Sequence, residues 1–329
     1  MLNNSQRVHV FYHQQLQYGG AIAVSYLSNK KQGLGGCRII HGDFNARSIE
    51  LCRNLAQCMD NKARLYDLPF AGAKSVIFIN EATQKSRALE HLAKHIKQLD
   101  GKYVAAVDIG TDINDMNFLA QQTSHVSCHS NIGGDPSLST AQGVYYAIQA
   151  ASETLFNNIP LSESTVAIQG MGKVGSALFK LLAQSNVKLY VADINSDKLP
   201  KQSEKIRVVA ADEITSVRSD ILIPCAKENF ICTKQLHTLQ TKCIIAAANL
   251  AITDIQQLNA LHIKGVLYLP DFLVNVGGLL QCTYQYDNRF DISSKMSEIK
   301  SLVAATIMSS LRTNKTPYQI CLEKIININ

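Results

Sequence analysis

Thr165-Val166-Ala167-Ile168-Gln169 runs without a break into Gly170-Met171-Gly172-Lys173-Val174-Gly175, a buried-strand pattern leading into Gly-x-Gly-x-x-Gly. A helical pattern follows in Val174, Leu178, Leu181 and Leu182, and then a second strand that ends in Asp193. Each glycine has a physical task in such a unit: a tight turn, room for a pyrophosphate, and close contact between helix and sheet. The helix N-terminus offers free N–H groups and partial positive charge to phosphates. Asp193 falls about 20 residues on, where a carboxylate accepts hydrogen bonds from both ribose hydroxyls and repels a 2′-phosphate. A dinucleotide is expected here, NAD rather than NADP, held over Gly170, Met171, Gly172, Lys173, Val174 and Gly175 and against Asp193. A bare glycine motif is a weak signal; strand, loop, helix and acidic strand end in order leave little room for a glycine-rich turn that binds nothing.

Working outward, strands are expected at Lys188–Asp193, Ile221–Pro224, Cys243–Ala247 and Val266–Leu269, alternating with helical or polar connections. Continuous apolar strands in such alternation predict a parallel sheet covered on both faces. Upstream, Ala21–Tyr26, Ser75–Ile79 and Tyr103–Val107 read as strands. Leu89, Leu92, Ala93, Ile96 and Leu99 form the apolar stripe of a helix that stops at Asp100-Gly101. The turn formers of Ser130–Ser137 mark a hinge, with Ser139 or Thr140 capping the helix beyond it. In the final segment Ile299, Leu302, Val303, Ile307 and Leu311 recur at helical spacing.

A chain of 329 residues exceeds what one core of ~250–300 residues usually supports, so two domains are expected. The fold class is α/β: an N-terminal substrate domain over residues 1–135 and a doubly wound, Rossmann-type NAD-binding domain over 136–290, with a cleft between them. The net charge of +6 is spread along the chain without basic runs interleaved with aromatics, which argues against nucleic acid. No run approaches the ~18 apolar residues of a membrane helix, and Met1–Ser5 lacks the pattern of a signal peptide. The nine cysteines show no Cys-x-x-Cys spacing, and Cys52, Cys58, Cys225 and Cys243 read as small core residues. A cytoplasmic protein with reduced thiols and no metal site is expected.

Lys62, after a helix expected to end at Met59, and Lys74, at the mouth of a strand, differ in setting from the other lysines. Asp108 likewise ends a strand. Spacing alone makes all three ordinary loop charges. The segments around them carry more. Gly33-Leu34-Gly35-Gly36-Cys37-Arg38, Met59-Asp60-Asn61-Lys62, Gly72-Ala73-Lys74-Ser75 and Asp108-Ile109-Gly110-Thr111 stand in collinear order with Asp135-Pro136-Ser137, Thr140-Ala141-Gln142-Gly143, Pro224-Cys225-Ala226, Ala248-Asn249 and Pro270–Gly278. With the glycine motif, this series resembles the amino-acid dehydrogenases that act on leucine, valine and phenylalanine, relatives of glutamate dehydrogenase, across residues 20–290.

The resemblance implies oxidative deamination of an L-amino acid by NAD and water to a 2-oxo acid and ammonia. Lys62 would pair with the α-carboxylate beside Gly36. Lys74 would be the general base and Asp108 the group exchanging protons with the amine. Thr140, Cys225, Ala226, Asn249 and Asn275 join the glycine motif at the cofactor. The resemblance also implies that residues 291–329 form helices returning to the first domain, and that copies of the chain assemble into a homo-oligomer.

Glutamate-specific relatives have a lysine where this chain has Leu34. Leu34, Ala106, Leu279 and Cys282 are expected to form an uncharged substrate wall, which predicts an apolar substrate. Other positions depart from the family pattern: Ala71 and Ala73 replace glycines, Asp135 replaces an asparagine, and Leu250-Ala251 replace polar residues. The added methyls are expected to crowd the substrate. Two alternatives follow, a dehydrogenase of an unusual amino or imino acid and a non-catalytic NAD-binding metabolite sensor. Retention of Lys62, Lys74 and Asp108 favours an enzyme.

Overall fold

Three of the runs expected as strands belong to one sheet, and the strand that joins them is one that composition hides. The computed structural model describes residues 6–15, 17–25, 32–81, 84–156, 160–226, 230–231 and 233–327; Met1–Ser5 and Tyr26 lie outside the described residues. The first half contains β1 (Gln6–His13), β2 (Tyr18–Ser25), β3 (Gly33–His41), α1 (Ala46–Leu65), β4 (Ala71–Ile79), α2 (Lys85–Gln98), β5 (Tyr103–Val107) and α3 (Ile113–Ala120). The sheet order is β1-β2-β4-β3-β5, with β3 parallel to both its neighbours and β2 antiparallel to both of its own. Gly33-Leu34-Gly35-Gly36, too rich in glycine for a typical strand, lies in the second strand from the edge. The glycines are there for close approach: a β-carbon on Gly35 would sit 1.6 Å from the Ala73 carbonyl oxygen.

Helix α1 starts from a capping box in which Asn45 and Ser48 bond each other's backbone. It runs to Leu65, past the expected stop at Met59, so Lys62 is a helical residue in its last turn. There the lysine complements the negative end of the helix dipole. The helix lies across the sheet face that carries Gly72, because a β-carbon on Gly72 would fall 1.9 Å from the Asp60 backbone nitrogen. Lys74, two residues on, shares that face, and it stands within β4 rather than at its mouth. Ala71 and Ala73 alternate to the opposite face, where the Ala73 methyl lies beside Gly33 and Val24. The expected crowding by their methyls therefore does not arise on the face of Lys74. The glycine retained is the one beneath the helix.

The second half contains α4 (Ser137–Leu155), β6 (Thr165–Gln169), α5 (Lys173–Gln184), β7 (Lys188–Ala192), β8 (Ile206–Val208), β9 (Ser219–Pro224), α6 (Thr233–Thr238), β10 (Thr241–Ile245), α7 (Ile255–Ile263), β11 (Leu267–Leu269) and α8 (Asp271–Val274). After these come α9 (Gly277–Tyr286), α10 (Ile292–Thr313) and α11 (Pro317–Asn327). Its sheet is wholly parallel, in the order β11-β10-β9-β6-β7-β8. This is the doubly wound arrangement, and the strand order reverses between β6 and β9. Ala167, Leu222, Ile244 and Tyr268 join Leu258 and Leu261 of α7 in a core on this sheet. Ser139 and Thr140 lie inside α4, which starts at Ser137, so neither is its cap.

Compact unit one comprises residues to Pro136 together with Leu279–Asp291; unit two comprises Ser137–Gly278 together with Ile292–Asn327. The expected return of 291–329 to the first domain is thus a correction. Residues 279–291 make that return instead. In α9, Ser127 Oγ donates to the Cys282 carbonyl, Gln285 Nε2 donates to the Gly134 carbonyl, and the Tyr286 ring meets Phe70 edge-on. The buried stripe of α10, Ile299, Leu302, Val303 and Ile307, packs on α4 and α8 of unit two, and Leu311 stays exposed. Among the described residues no helix is long and apolar enough to cross a membrane, and no cluster of three acidic, histidine or cysteine side chains is fit to hold a metal.

The contrast between Gly72 and its neighbours is measurable. Gly72→Ala forces α1 off the sheet and should cost about 1–3 kcal/mol or more. Ala73→Gly should cost only about 0.5–1 kcal/mol, through backbone entropy. Urea unfolding midpoints of the two variants test this, and a milder effect at Gly72 than at Ala73 contradicts the packing described.

Candidate active site

Three adjacent parallel strands, β4, β3 and β5, and the turn after β5 bring five of the expected site residues together. Gly36 pairs with Ala106 across β3 and β5, and Leu34 pairs with Gly72 on one side and Val104 on the other. Residues two apart on a strand share a face, so Leu34, Gly36 and Arg38 line up with Lys74 and with Asp108 just beyond β5. The Lys74 Nζ lies 2.7 Å from Asp108 Oδ2, and the Arg38 Nε donates to the same oxygen at 2.8 Å. Gly36 is a glycine because a β-carbon there would fall 2.7 Å from the Asp108 β-carbon and 3.1 Å from Lys74 Nζ.

The turn after β5 aims the carboxylate. Asp108 N–H donates to Thr111 Oγ1, whose hydroxyl lies within hydrogen-bonding distance of both the Cys37 and the Asp108 carbonyls. At Gly110, with φ +82°, a β-carbon would fall 2.2 Å from the Ile39 carbonyl oxygen, so only glycine fits. Burial on its own would raise the Asp108 pKa. Lys74 and Arg38 more than reverse it and hold the carboxyl well below the usual range. Arg38 has the strongest geometric claim to the site among residues given no role from sequence; its place two residues from Gly36 was the available signal.

Lys62 is buried in the last turn of α1, on the sheet face that carries Lys74. Near it Asp60 accepts from the Gly72 N–H, and burial raises its carboxyl pKa. Leu34, Ala106, Leu279 and Cys282 are all buried. The first two come from the sheet and the last two from α9, three residues apart and hence on one side of that helix. The sequence also gave no notice of Cys128, whose sulfur lies 2.9 Å from that of Cys282.

In unit two the glycine loop leaves β6 at the point of strand-order reversal, where doubly wound sheets bind ligands. Gly170 adopts φ +95° with its α-carbon against Ala226, which follows β9 and Cys225. Gly175 packs on the Gly170 carbonyl, whereas a β-carbon on Gly172 would meet nothing within 4 Å. Helix α5 starts at Lys173, with Val174 next, and its N-cap residue, Gly172, has no side chain to cap it. The Asp193 oxygens accept from the N–H groups of Met171 and Asn195, so the backbone holds the carboxylate in place. Each oxygen retains acceptor capacity for a further hydroxyl. Asn275 Nδ2 donates to the Ala247 carbonyl and to Asn249 Oδ1, while its own buried Oδ1 has no hydrogen-bond partner among the described residues. Thr140 is half-buried in the first turn of α4.

Residues 6–125 match the family model for the Glu/Leu/Phe/Val dehydrogenase dimerisation domain, and residues 191–310 match that for glutamate/leucine/phenylalanine/valine dehydrogenase. The phenylalanine dehydrogenase of Lysinibacillus sphaericus is 34% identical over 259 residues, 75% of this chain and 68% of the relative. The leucine dehydrogenase of Bacillus cereus is 32% identical over 294 residues, 87% and 80% of the two chains. The chain belongs to the glutamate/leucine/phenylalanine/valine dehydrogenase family. It is an NAD-dependent amino-acid dehydrogenase. Two solved structures share its fold. An L-tryptophan dehydrogenase from Nostoc punctiforme matches with TM-score 0.76 at 24% identity, covering 98% of this chain and 96% of that one. A hetero-hexameric glutamate dehydrogenase from Thermus thermophilus, in a Leu-bound form, matches with TM-score 0.80 at 17% identity, covering 98% and 89%.

The second unit fits the family's NAD on its own geometry. The open space over Gly172, the uncapped α5 N-terminus, the anchored Asp193 and the orphaned Asn275 oxygen offer complements to pyrophosphate, ribose and an amide donor respectively.

The ion pair of the first unit has a pH signature. Asp108→Asn removes the carboxylate that neutralises two buried cations, and should destabilise the protein by about 3–5 kcal/mol near neutral pH. Because the folded-state pKa is depressed, this stabilisation is complete above the unfolded value of about 4 and is lost as pH falls below it. Urea titrations from pH 7 to pH 3 should therefore show the gap between wild type and variant narrowing below about pH 4. A gap that stays constant across the series contradicts the depressed carboxyl.

Proposed function

We propose that this dehydrogenase oxidatively deaminates apolar L-amino acids, branched-chain or similar, converting substrate, NAD and water to 2-oxo acid, ammonia and NADH. The observation that carries the reading is the buried Lys74–Asp108 pair, in the same compact unit as the buried and uncharged Leu34, Ala106, Leu279 and Cys282, which we take as the substrate wall. Lys62 takes the substrate α-carboxylate beside Gly36. Lys74 is the general base for the water that attacks the imine, and Asp108 exchanges protons with the departing amine. At 2.7 Å a proton moves between Lys74 Nζ and Asp108 Oδ2 without an intervening water. Arg38 bonds the same oxygen, so Asp108 remains paired when Lys74 releases its proton. NAD, when bound over Gly170–Gly175 and against Asp193, supplies the hydride acceptor; Thr140, Cys225, Ala226, Asn249 and Asn275 complete its site. The Asp193 carboxylate favours NAD over NADP by repelling a 2′-phosphate.

The wall supports the choice of substrate. Burying an unpaired γ-carboxylate against it costs several kcal/mol, whereas an aliphatic or aromatic side chain gains roughly 1.5–3 kcal/mol. In this reading copies of the chain form a homo-oligomer through residues 6–125, the span that matches a dimerisation domain. The enzyme works in the cytoplasm, consistent with eight free cysteines among the described residues.

A screen of the twenty L-amino acids with NAD, followed by NADH absorbance, tests the substrate assignment. Leucine, valine or phenylalanine should turn over fastest, and faster turnover of glutamate refutes it. Lys74→Ala should lower kcat by ~10²–10⁴ with the best substrate while NAD binding stays nearly unchanged. Near-normal turnover in that variant removes Lys74 from the role of base.

A further inference from the structure

Two cysteines of the first unit, remote in sequence, meet at their sulfurs: Cys282 of the proposed substrate wall and Cys128, to which the mechanism gives no role. Cys128 follows the segment that continues the sheet beyond β5, with Ala105 N–H donating to the His125 carbonyl and Ser127 N–H to the Ala105 carbonyl. Its φ is +62°, a left-handed backbone that residues with a β-carbon rarely adopt. In this conformation the Cys128 sulfur lies 2.9 Å from that of Cys282 on α9. The backbones are tied beside the sulfurs, since Ser127 Oγ donates to the Cys282 carbonyl at 2.9 Å.

We propose that Cys128 and Cys282 form a reversible dithiol–disulfide site set into the substrate wall of this enzyme. A disulfide bond is ~2.05 Å long, so closure needs the sulfurs to approach by roughly another 0.9 Å, within reach of small side-chain rotations. The pair is also chemically distinct from the other buried thiols. The contact with Cys282 outweighs burial at Cys128 and favours its thiolate. The same contact and burial raise Cys282. Burial alone pushes Cys225 up to about 12, and it is the largest influence on Cys37, Cys52 and Cys321, which reach about the same value. Asp135 opposes a thiolate at either sulfur, and Lys74 supports one at Cys282.

The reaction is thiol–disulfide exchange with a small disulfide RSSR. Cys128 is fully buried, so RSSR reaches it on local opening of the 125–128 segment; the Cys128 thiolate then attacks one sulfur, forming a mixed disulfide and releasing RS⁻. The Cys282 thiol gives its proton to that RS⁻ and attacks the Cys128 sulfur, expelling the second RS⁻. Two cysteine thiols are oxidised to one disulfide, and RSSR is reduced to two thiols. The bond ties α9 to the 125–128 segment and turns the Cys282 side chain away from its reduced position. The effect on catalysis rests on the proposed substrate wall; formation of the bond does not.

The experiment exposes the full-length protein to 2-hydroxyethyl disulfide, alkylates remaining thiols with iodoacetamide, and maps non-reduced peptides by mass spectrometry. A cross-linked peptide joining Cys128 to Cys282, reversed by dithiothreitol, is the expected result. NADH formation from the best amino acid should fall about tenfold or more and recover on reduction. Cys128→Ser should form no such peptide and keep its activity under the same treatment. Cys128→Gly, which suits the left-handed backbone, serves if the serine variant does not fold. Recovery of both cysteines as alkylated thiols while other cysteines are oxidised overturns the proposal, as does equal inactivation of the Cys128 variant. A cross-link with unchanged kinetics upholds the site and removes Cys282 from the substrate wall.

Discussion

One carboxylate oxygen, Asp108 Oδ2, accepts from both Lys74 and Arg38 in the interior of the first unit, and much of the local architecture serves it. Taking charges out of water costs several kcal/mol each, and the cost is recovered only with close pairing and further hydrogen bonds. Close pairing requires β4, β3 and β5 to bring their backbones near enough for short contacts, which excludes a side chain at Gly36. It also requires a turn that holds Asp108 still, which Gly110 and Thr111 provide through the carbonyls of Ile39 and Cys37. The arrangement that makes the carboxylate affordable to bury also places a transferable proton next to it.

Close approach of backbone governs the second unit as well, with a different partner in view. Gly170 and Gly175 are glycines because protein atoms press on them, Gly172 because nothing does. The first two shape the turn and seat α5 on the sheet. The third leaves open the ground in front of the helix N-terminus, where unpaired N–H groups favour anions. Asp193, held by two backbone N–H groups, stands at the far edge of that ground. Glycine thus does opposite things within six residues, and only the contacts distinguish them.

The nucleotide-binding half was largely legible in the sequence because its physics is local. Strand β6, the glycine loop, α5 and β7 follow one another within about thirty residues, and a βαβ unit of that length has essentially one handedness. The first half was read less well. Gly33–Gly36 is too rich in glycine for a typical strand, and its identity as one depends on partners in β4 and β5 that lie far off along the chain. Lys62 and Lys74 were singled out through the family's motifs, but their positions, inside a helix and within a strand, follow from tertiary packing. The resemblance implied that the C-terminal helices join the first unit, whereas the α10 stripe packs on α4 and α8 of the second; an apolar stripe states that a surface will be buried and not which surface will bury it.

By itself, then, the sequence determined the α/β class, the parallel sheet of the second unit, the glycine turn between β6 and α5 and the family to which the chain belongs, since each is written in short-range pattern. Tertiary structure alone decided that Arg38 shares the Asp108 oxygen, that Gly72 lies beneath α1, that 279–291 joins the first unit, and that Cys128 meets Cys282. Those four are contacts between residues separated by at least a dozen positions. Nothing in local propensity encodes them, because the free energy that selects them is gained only once the sheet and its helices have already packed.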